Sequence, residues 1–164
     1  MLKKLFGKKE IAEMEEIFSP LDGEILSLEE VPDPVFSQKM IGEGIAIIPR
    51  NGIVVSPVNG KIVNVFPTKH AIGILSNNGL EILIHFGLET VALNGEGFEA
   101  LVKNNQTVKA GDALLNVNLE VLEKNNKNLV TPIIITNKEK LKSIEHVENL
   151  EVTRGESIFK CHFN

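Results

Sequence analysis

The chain has 164 residues, of which 43% are hydrophobic and 24% charged, a composition typical of one soluble globular domain. Its net charge of −5 argues against nucleic acid as the main partner, because binding phosphates requires a basic surface. Cys161 is the only cysteine, which excludes an intramolecular disulfide and agrees with a reducing, cytoplasmic compartment. No apolar run approaches the ~18 residues that a membrane span needs.

The first 17 residues are expected to form an N-terminal tail, basic and then acidic, ahead of a single domain over 18–164. Leu2, Leu5 and Phe6 lie at helical spacing among four lysines, so this tail could make a weak contact with an anionic membrane. A segment of about nine residues binds such a surface only marginally. A disordered, soluble tail is therefore the favoured interpretation.

From residue 19 onwards, short apolar runs alternate with Pro and Gly turn signals. Short strands at this spacing predict an all-β fold, a compact antiparallel β-sandwich or barrel. One helical segment is expected over 119–125, and a helical turn is expected to start at Pro34. The predicted strands lie near 23–28, 45–48, 53–56, 61–66, 71–75, 80–86, 113–117, 130–135 and 158–163.

Two motifs occur twice in the same order. SPLDGEI at 19–25 returns as SPVNGKI at 56–62, and VKAGD at 108–112 returns as VTRGE at 152–156. Pro and Asx-Gly suit tight turns, so shared turn chemistry is one explanation. The recurrence of two different motifs in one order favours a duplicated β unit.

A predicted hairpin joins two strands that carry one histidine each. Asn78-Gly79 between apolar runs is a strong hairpin signal. A four-residue loop over 76–79 would place His70 directly opposite His85, and a two-residue loop would place them diagonally. Either loop keeps both imidazoles on one face, with Cβ atoms about 5 to 7 Å apart. In this register Ile72 and Ile74 would share the face of His70.

Two neighbouring neutral imidazoles provide a nucleophilic nitrogen and a hydrogen-bond donor for an incoming anion. Their proximity disfavours protonating both, so one ring should stay neutral near pH 7. Thr68 lies two residues before His70, where its hydroxyl could fix a tautomer or contact a phosphate oxygen. The simpler alternative is a pair of ordinary surface histidines, which this clustering makes less favoured.

A metal site is the second functional interpretation, since two histidines on one face can bind Zn²⁺. Zinc takes three or four protein ligands, and the sequence has no His-x-His, His-Glu-x-x-His or Cys-x-x-Cys pattern to supply them. The alternative function is therefore a zinc-dependent hydrolase or a zinc-bridged regulatory binding module. It would use His70 and His85, with a transient ion completed by a carboxylate of a partner.

The sequence around His85 resembles the signature of one protein family. The segment Gly79-x-x-Ile82-Leu83-Ile84-His85-Phe86-Gly87-Leu88-x-Thr90-Val91 is similar to that of the enzyme IIA domain of the glucose-type phosphoenolpyruvate:sugar phosphotransferase system. Further segments match in family order, at 19–23, 31–36, 42–46, 68–71, 94–98 and 131–137. The resemblance covers about residues 18–164, and so many ordered motifs make chance implausible.

This resemblance implies a compact antiparallel β-sandwich that carries a phosphoryl group and requires no cofactor. The histidine-phosphocarrier protein would phosphorylate Nε2 of His85, which would pass the group to a cysteine on the IIB domain of a sugar permease. His70 would be the accessory histidine that contacts the phosphoryl group, with Thr68 supporting it. Regulatory targets are further expected partners, because the free and phosphorylated forms differ in charge.

Partners are expected to dock on an apolar rim with acidic residues around it. The candidate apolar residues are Phe36, Ile41, Ile45, Ile47, Phe66 and Phe86. Phe86 alternates with His85 and could face the core instead. Asp33 and Glu89 would suit basic partner surfaces, whereas Glu43 is better explained as a solvated carboxylate. Glu89 stands where relatives usually carry Asp, and the longer acid should change how a partner's arginine is held.

Overall fold

The computed structural model describes residues 12–164, in which antiparallel β-strands predominate. The helices are α1 (Pro34–Ser37), α2 (Leu119–Lys124) and the 3₁₀ turns Leu28–Glu30, Thr90–Leu93 and Lys138–Lys140. The strands are β1 (Met14–Phe18), β2 (Gly23–Ser27), β3 (Glu43–Pro49), β4 (Ile53–Val55), β5 (Gly60–Val65), β6 (Ala71–Ser76), β7 (Glu81–His85), β8 (Phe98–Ala100), β9 (Thr107–Val108), β10 (Ala113–Val117), β11 (Thr131–Ile135), β12 (Leu141–His146), β13 (Glu151–Val152) and β14 (Ser157–Phe163). None of the helices in the described part of the chain is long and apolar enough to cross a membrane.

Three antiparallel sheets enclose one main core. The largest has the order β13-β2-β3-β11-β7-β6-β5-β9, and the two three-stranded sheets are β1-β14-β12 and β4-β10-β8. Each sheet contributes fully buried side chains to the main core, such as Ile84 from β7, Leu115 from β10 and Phe159 from β14. This architecture confirms the predicted antiparallel β-sandwich.

A second, smaller apolar cluster lies on the opposite face of the largest sheet, and we call it the outer cluster. Along β7, Ile82 and Ile84 belong to the main core, whereas Leu83 packs against the outer cluster. Because side chains alternate along a strand, His85 shares the outer face with Leu83. The buried members of the outer cluster are Leu28, Val31, Phe36, Ala46, Leu88, Val130 and Ile134.

The repeated motifs form equivalent turns that pair with each other. The Ser19 and Ser56 hydroxyls each donate to the carbonyl two residues later, in both cases at 2.7 Å. The residue before each serine donates its N–H to the proline carbonyl of the other copy, at 3.0 and 2.9 Å. In the motifs VTRGE and VKAGD, the glycine N–H donates to the carbonyl of Ser19 at 3.0 Å and to that of Ser56 at 2.9 Å, respectively. These reciprocal bonds support the predicted duplicated β unit.

The folded domain begins earlier than the sequence predicted. Strand β1 pairs with β14, and Ile17 is fully buried in the main core, so the boundary expected at residue 18 was wrong. The sequence did not indicate this strand because an acidic residue, Glu15, occupies one of its core-side positions. Glu15 is buried there and accepts a 2.7 Å hydrogen bond from the Ser76 hydroxyl. The basic residues of the expected tail, with their membrane contact, lie outside the described residues.

The hairpin register also differs from both predicted alternatives. Leu75 pairs with Glu81 and Ala71 with His85, so five residues rather than four or two separate the paired positions. An odd loop reverses the face of every residue on one strand. Ile72 and Ile74 therefore point into the main core, and not to the face of His85 as expected. His70 precedes the first residue of β6, which frees it from the alternation of that strand.

Candidate functional site

His85 is the last residue of β7, and one of its ring nitrogens is already bonded. Nδ1 lies 2.8 Å from the carbonyl oxygen of Gly87. A carbonyl only accepts hydrogen bonds, so Nδ1 carries the proton and Nε2 has the free lone pair. The half-buried ring is thereby fixed as the tautomer that is nucleophilic at Nε2.

His70 reaches His85 through a turn rather than through cross-strand pairing. Lys69 adopts a left-handed conformation with φ 59°, and its N–H donates to the Phe66 carbonyl at 2.7 Å. The His70 carbonyl then accepts a hydrogen bond from Phe86 N–H at 2.7 Å, which ties this turn to the residue after His85. His70 is only 4% exposed. The Thr68 hydroxyl lies 2.7 Å from Nδ1 of His70, which is the tautomer-fixing position among the two roles that the sequence left open.

The two imidazoles pack edge to face between two phenylalanines. Their ring centroids are 4.8 Å apart, with an interplanar angle of 79°. Phe36 lies 5.2 Å from the ring of His85, and Phe66 lies 5.7 Å from the ring of His70. The predicted meeting of the two histidines is therefore correct, although the predicted register was not.

Both imidazoles are neutral at pH 7, whereas the sequence predicted only that one of the two rings stays neutral. Burial, and secondarily the neighbouring His85 ring, lowers the pKa of His70 from 6.5 to about 4. Burial also lowers the pKa of His85, outweighing the Gly87 hydrogen bond and the Asp33 carboxylate, which act in the opposite direction. The pair therefore presents lone pairs and N–H groups to a ligand, without a fixed positive charge.

The acidic residues expected around the site border a cleft next to it. Asp33 and Glu89 line a cavity of about 420 Å³ together with Lys127. Asp33 is half-buried, and its side chain accepts a 3.0 Å hydrogen bond from Val35 N–H at the start of α1. Glu89 is exposed and adopts a left-handed conformation with φ 58°.

Only part of the expected apolar rim is available to a partner. Ile45, Ile47 and Phe86 are at most 4% exposed and belong to the main core, so the prediction that they form a rim was wrong. They alternate with residues of the outer face, which a pattern of continuous apolar residues conceals. Phe36 is also only 4% exposed and buried in the outer cluster, so its prediction as a rim residue was wrong as well. Ile41 is partly buried against the outer cluster, and Phe66 is half-buried.

Sequence reasoning missed several exposed apolar residues near the site. Val35 in α1, Met40 after it and Val91 beyond Glu89 are 40%, 68% and 54% exposed. Their positions within or beside the family-like segments were the available signal. It also missed the Gly87 carbonyl, because no backbone acceptor can be recognised from residue types.

A resident metal site finds no support in the described part of the chain. Residues 12–164 contain no group of three or more His, Cys, Asp or Glu side chains placed to hold a metal ion. Zinc sites in proteins use three or four protein ligands. The zinc-dependent alternatives are therefore unsupported.

An antiparallel β-sandwich that presents one free imidazole nitrogen beside a second, neutral imidazole has the features of a covalent group carrier. The model of the EIIA 1 family of the phosphoenolpyruvate-dependent sugar phosphotransferase system matches residues 15–141. A glucose-specific EIIA component of Staphylococcus epidermidis is 52% identical over 159 residues, covering 96% of this chain and 95% of the relative. A Staphylococcus aureus glucose-specific EIIA component is also 52% identical, over 158 residues, covering 96% and 95%.

A solved structure agrees with these sequence relatives. The structure described as glucose permease IIA from Mycoplasma capricolum superposes with a TM-score of 0.86 at 42% identity, covering 93% of this chain and 98% of that one. The chain therefore belongs to the EIIA family of the sugar phosphotransferase system. It is a phosphoryl carrier in sugar uptake.

Proposed function

We propose that His85 accepts the phosphoryl group on Nε2 and passes it to a cysteine on the IIB domain of a glucose-type permease. The donor is the phosphorylated histidine-phosphocarrier protein. In each step the bond from phosphorus to the donor atom breaks as the bond to the acceptor atom forms. The supporting observation is the 2.8 Å bond from Nδ1 to the Gly87 carbonyl, which leaves Nε2 as the nucleophile. That carbonyl also stabilises the positive charge that the ring gains when Nε2 bonds to phosphorus.

His70 is the accessory residue in this proposal. We assign the Thr68 hydroxyl, 2.7 Å from Nδ1 of His70, as the donor of that bond, so that Nε2–H of His70 is directed to a phosphoryl oxygen. With a pKa of about 4, His70 contributes a neutral hydrogen bond at pH 7 rather than a charge. Phosphoryl transfer depends mainly on alignment and electrostatic stabilisation. A neutral donor can align the group without trapping it as a tight ion pair.

Partners dock on the exposed apolar and acidic surface around the two histidines. The half-buried Phe66 and Ile41 form its centre, and the buried Phe36, which contacts His85, supports them from the outer cluster. Asp33 and Glu89 border it and attract basic partners. Ile45, Ile47 and Phe86 support this surface from the core.

The relatives and the expected partners support a proposal for the sugar and the compartment. The 52% identical relatives are named glucose-specific, so glucose is the proposed sugar. The carrier acts in the cytoplasm, where the phosphorylating proteins are. The free and phosphorylated forms present different charges on one surface, which is how regulatory targets would distinguish them.

Stepwise labelling tests these assignments. Wild type, His85→Gln and His70→Gln are incubated with phosphoenolpyruvate, enzyme I and the histidine-phosphocarrier protein, and then with a IIB domain. We expect no label on His85→Gln, and normal labelling of His70→Gln followed by slowed transfer to IIB. Label on His85→Gln would contradict the nucleophile, and transfer from His70→Gln at the wild-type rate would contradict the accessory role.

The carrier needs no metal in this proposal. Zn²⁺ bound by His70 and His85 would require a carboxylate of a partner as a third ligand. Transfer from purified, already phosphorylated histidine-phosphocarrier protein should therefore proceed at the same rate with and without a chelator, and a loss of this transfer in chelator would contradict this view.

A further inference from the structure

The backbone that follows His85 is held in place by buried side chains. The carbonyl of Phe86 accepts a 2.6 Å hydrogen bond from the Thr90 hydroxyl. The N–H of Gly87, on the other side of the same peptide bond, donates to the hydroxyl oxygen of Thr131 at 3.3 Å. One peptide unit is thus bonded at both ends by threonine side chains.

Both threonines have the hydrogen-bond roles that this arrangement needs. Each is fully buried. Thr131 donates its own hydroxyl proton to the Leu129 carbonyl at 2.9 Å, which leaves its oxygen free to accept from Gly87. Thr90 uses its proton on Phe86. A buried hydroxyl without such bonds would be costly.

The next peptide unit carries the acceptor for His85. The N–H of Leu88 donates to the Asn128 carbonyl at 2.9 Å, and the Gly87 carbonyl at the other end accepts from Nδ1 of His85. Hydrogen bonds in such a chain polarise one another, so the Leu88 bond makes the Gly87 oxygen a better acceptor. The imidazole is therefore coupled through a peptide group to the segment before β11.

Gly87 is the residue that makes this geometry feasible. Its φ is 75°, a left-handed conformation that side chains disfavour. A Cβ atom here would lie 2.7 Å from Cγ2 of Thr90 and 3.0 Å from the Asn128 oxygen. Thr90 and Asn128 therefore fill the space beside Gly87 on the side where a side chain would stand.

We propose that Thr90 and Thr131 are positioning residues, which clamp the Phe86–Gly87 peptide so that the Gly87 carbonyl stays on Nδ1 of His85. This inference rests on the proposed role of His85 as the phosphoryl acceptor. Loss of the clamp lets the Gly87 carbonyl move, and the ring then populates the tautomer with its proton on Nε2. That tautomer has no lone pair on the nitrogen that must attack phosphorus.

The test compares Thr131→Val and Thr90→Val with Thr131→Ser and Thr90→Ser. Valine keeps the shape and removes the hydroxyl, whereas serine keeps the hydroxyl. Two properties of each folded protein are measured: the ¹⁵N chemical shifts of His85, which report its tautomer, and the initial rate of phosphorylation by the histidine-phosphocarrier protein. Ser56→Ala serves as a control, because it removes a buried 2.7 Å hydroxyl bond in the duplicated turn instead.

We expect the valine variants to show a rise in the Nε2–H tautomer and a fall in phosphorylation rate of about tenfold or more, since small misplacements of a reacting group are this costly. The serine variants should restore both properties, and Ser56→Ala should leave both at wild-type values. If Thr131→Val fails to fold, Thr90→Val tests the same peptide from its other end.

Two results would overturn the proposal that the threonines clamp this peptide. The first is an unchanged tautomer and an unchanged phosphorylation rate in a folded valine variant. The second is a slower rate with an unchanged tautomer, which would indicate a merely structural role. Failure of the proposed function is a separate result. If wild type takes no phosphate on His85, that function is wrong, while the ¹⁵N shifts still decide whether the threonines fix the ring.

Discussion

An exposed histidine can use either ring nitrogen, whereas His85 has only one available. Its Nδ1 is bonded to a carbonyl, and burial keeps the ring neutral at pH 7. The sequence predicted that the two histidines meet, because the hairpin signals are local, but they meet through the turn at Lys69 and not through the predicted register. It could not predict which nitrogen is free, because that depends on a backbone carbonyl two residues later.

His70 should make the protein sensitive to acid. Its pKa falls from 6.5 to about 4 on folding, so between these values the unfolded chain binds a proton that the folded protein does not. The free energy of unfolding therefore decreases as the pH falls from 6.5 towards 4, by up to roughly 3 kcal/mol from this group, since one pKa unit corresponds to about 1.4 kcal/mol.

Urea unfolding of wild type and His70→Gln at pH 7.5 and at pH 4.5 measures this contribution. Glutamine stays neutral at both values, so the variant should lose less stability between them than wild type does. Equal losses in the two proteins would contradict the buried, neutral state of His70.

At the scale of elements, α1 brings the outer cluster to the site. The helix has only four residues, and its Phe36 packs against His85 while remaining buried in the outer cluster. Asp33 caps its first turn, and Pro34 suits the first helical position. The sequence predicted a helical turn starting at Pro34, although the turn ends at Ser37 and does not continue through Met40 as expected. Its contact with His85 depends on the packing of the outer cluster, which local signals do not contain.

Asp33 is expected to affect both the stability of the protein and the rate of its phosphorylation, and two variants separate these effects. Asp33→Asn keeps the capping oxygen and removes the charge, whereas Asp33→Ala removes both. We expect Asp33→Asn to retain its stability but to be phosphorylated more slowly at low salt, because a basic partner is attracted less strongly. Asp33→Ala should in addition lose about 1 kcal/mol of stability.

Stopped-flow phosphorylation at low and high ionic strength, with urea unfolding of each variant, separates these effects. Wild type and Asp33→Asn should converge at high salt. A rate for Asp33→Asn equal to that of wild type at every salt concentration would exclude a role for this charge in docking.

Two variants in strand β1 test where the folded domain begins. Ile17 is fully buried in the main core, so Ile17→Ala should lower the free energy of unfolding by about 2 to 5 kcal/mol. Met14→Ala in the same strand is a matched control, because Met14 is 41% exposed. Urea unfolding measures both variants, and equally small effects would restore the interpretation of residues 12–17 as a tail.

The strands that the sequence predicted well are those in which apolar and polar residues alternate or in which apolar residues form a continuous run. Strand β10 over Ala113–Val117 has the predicted bounds. Strands β9 and β13 have two residues each, too few to show a period. Strand β12 carries mostly exposed side chains on its six residues, so its apolar pattern is weak. Short or exposed strands form because their neighbours supply the pairing.

At the scale of the whole molecule, the duplicated turns pair with each other, while the histidines belong to the hairpin that follows the second copy. The two serine turns exchange backbone bonds and connect β1 with β4 and their neighbours. The site is built on the other side of the largest sheet, where β7 ends and the outer cluster begins. The two imidazoles therefore lie beside the outer cluster, on the face where we propose that partners dock.

The most direct measurement locates the phosphoryl group within the phosphorylated protein. Wild type is phosphorylated with phosphoenolpyruvate, enzyme I and the histidine-phosphocarrier protein, and then examined by tandem mass spectrometry and by ¹⁵N NMR of its histidines. We expect one acid-labile phosphate, on Nε2 of His85. A phosphate on His70, or on Nδ1 of His85, would contradict the assignment of Nε2 of His85 as the phosphoryl acceptor.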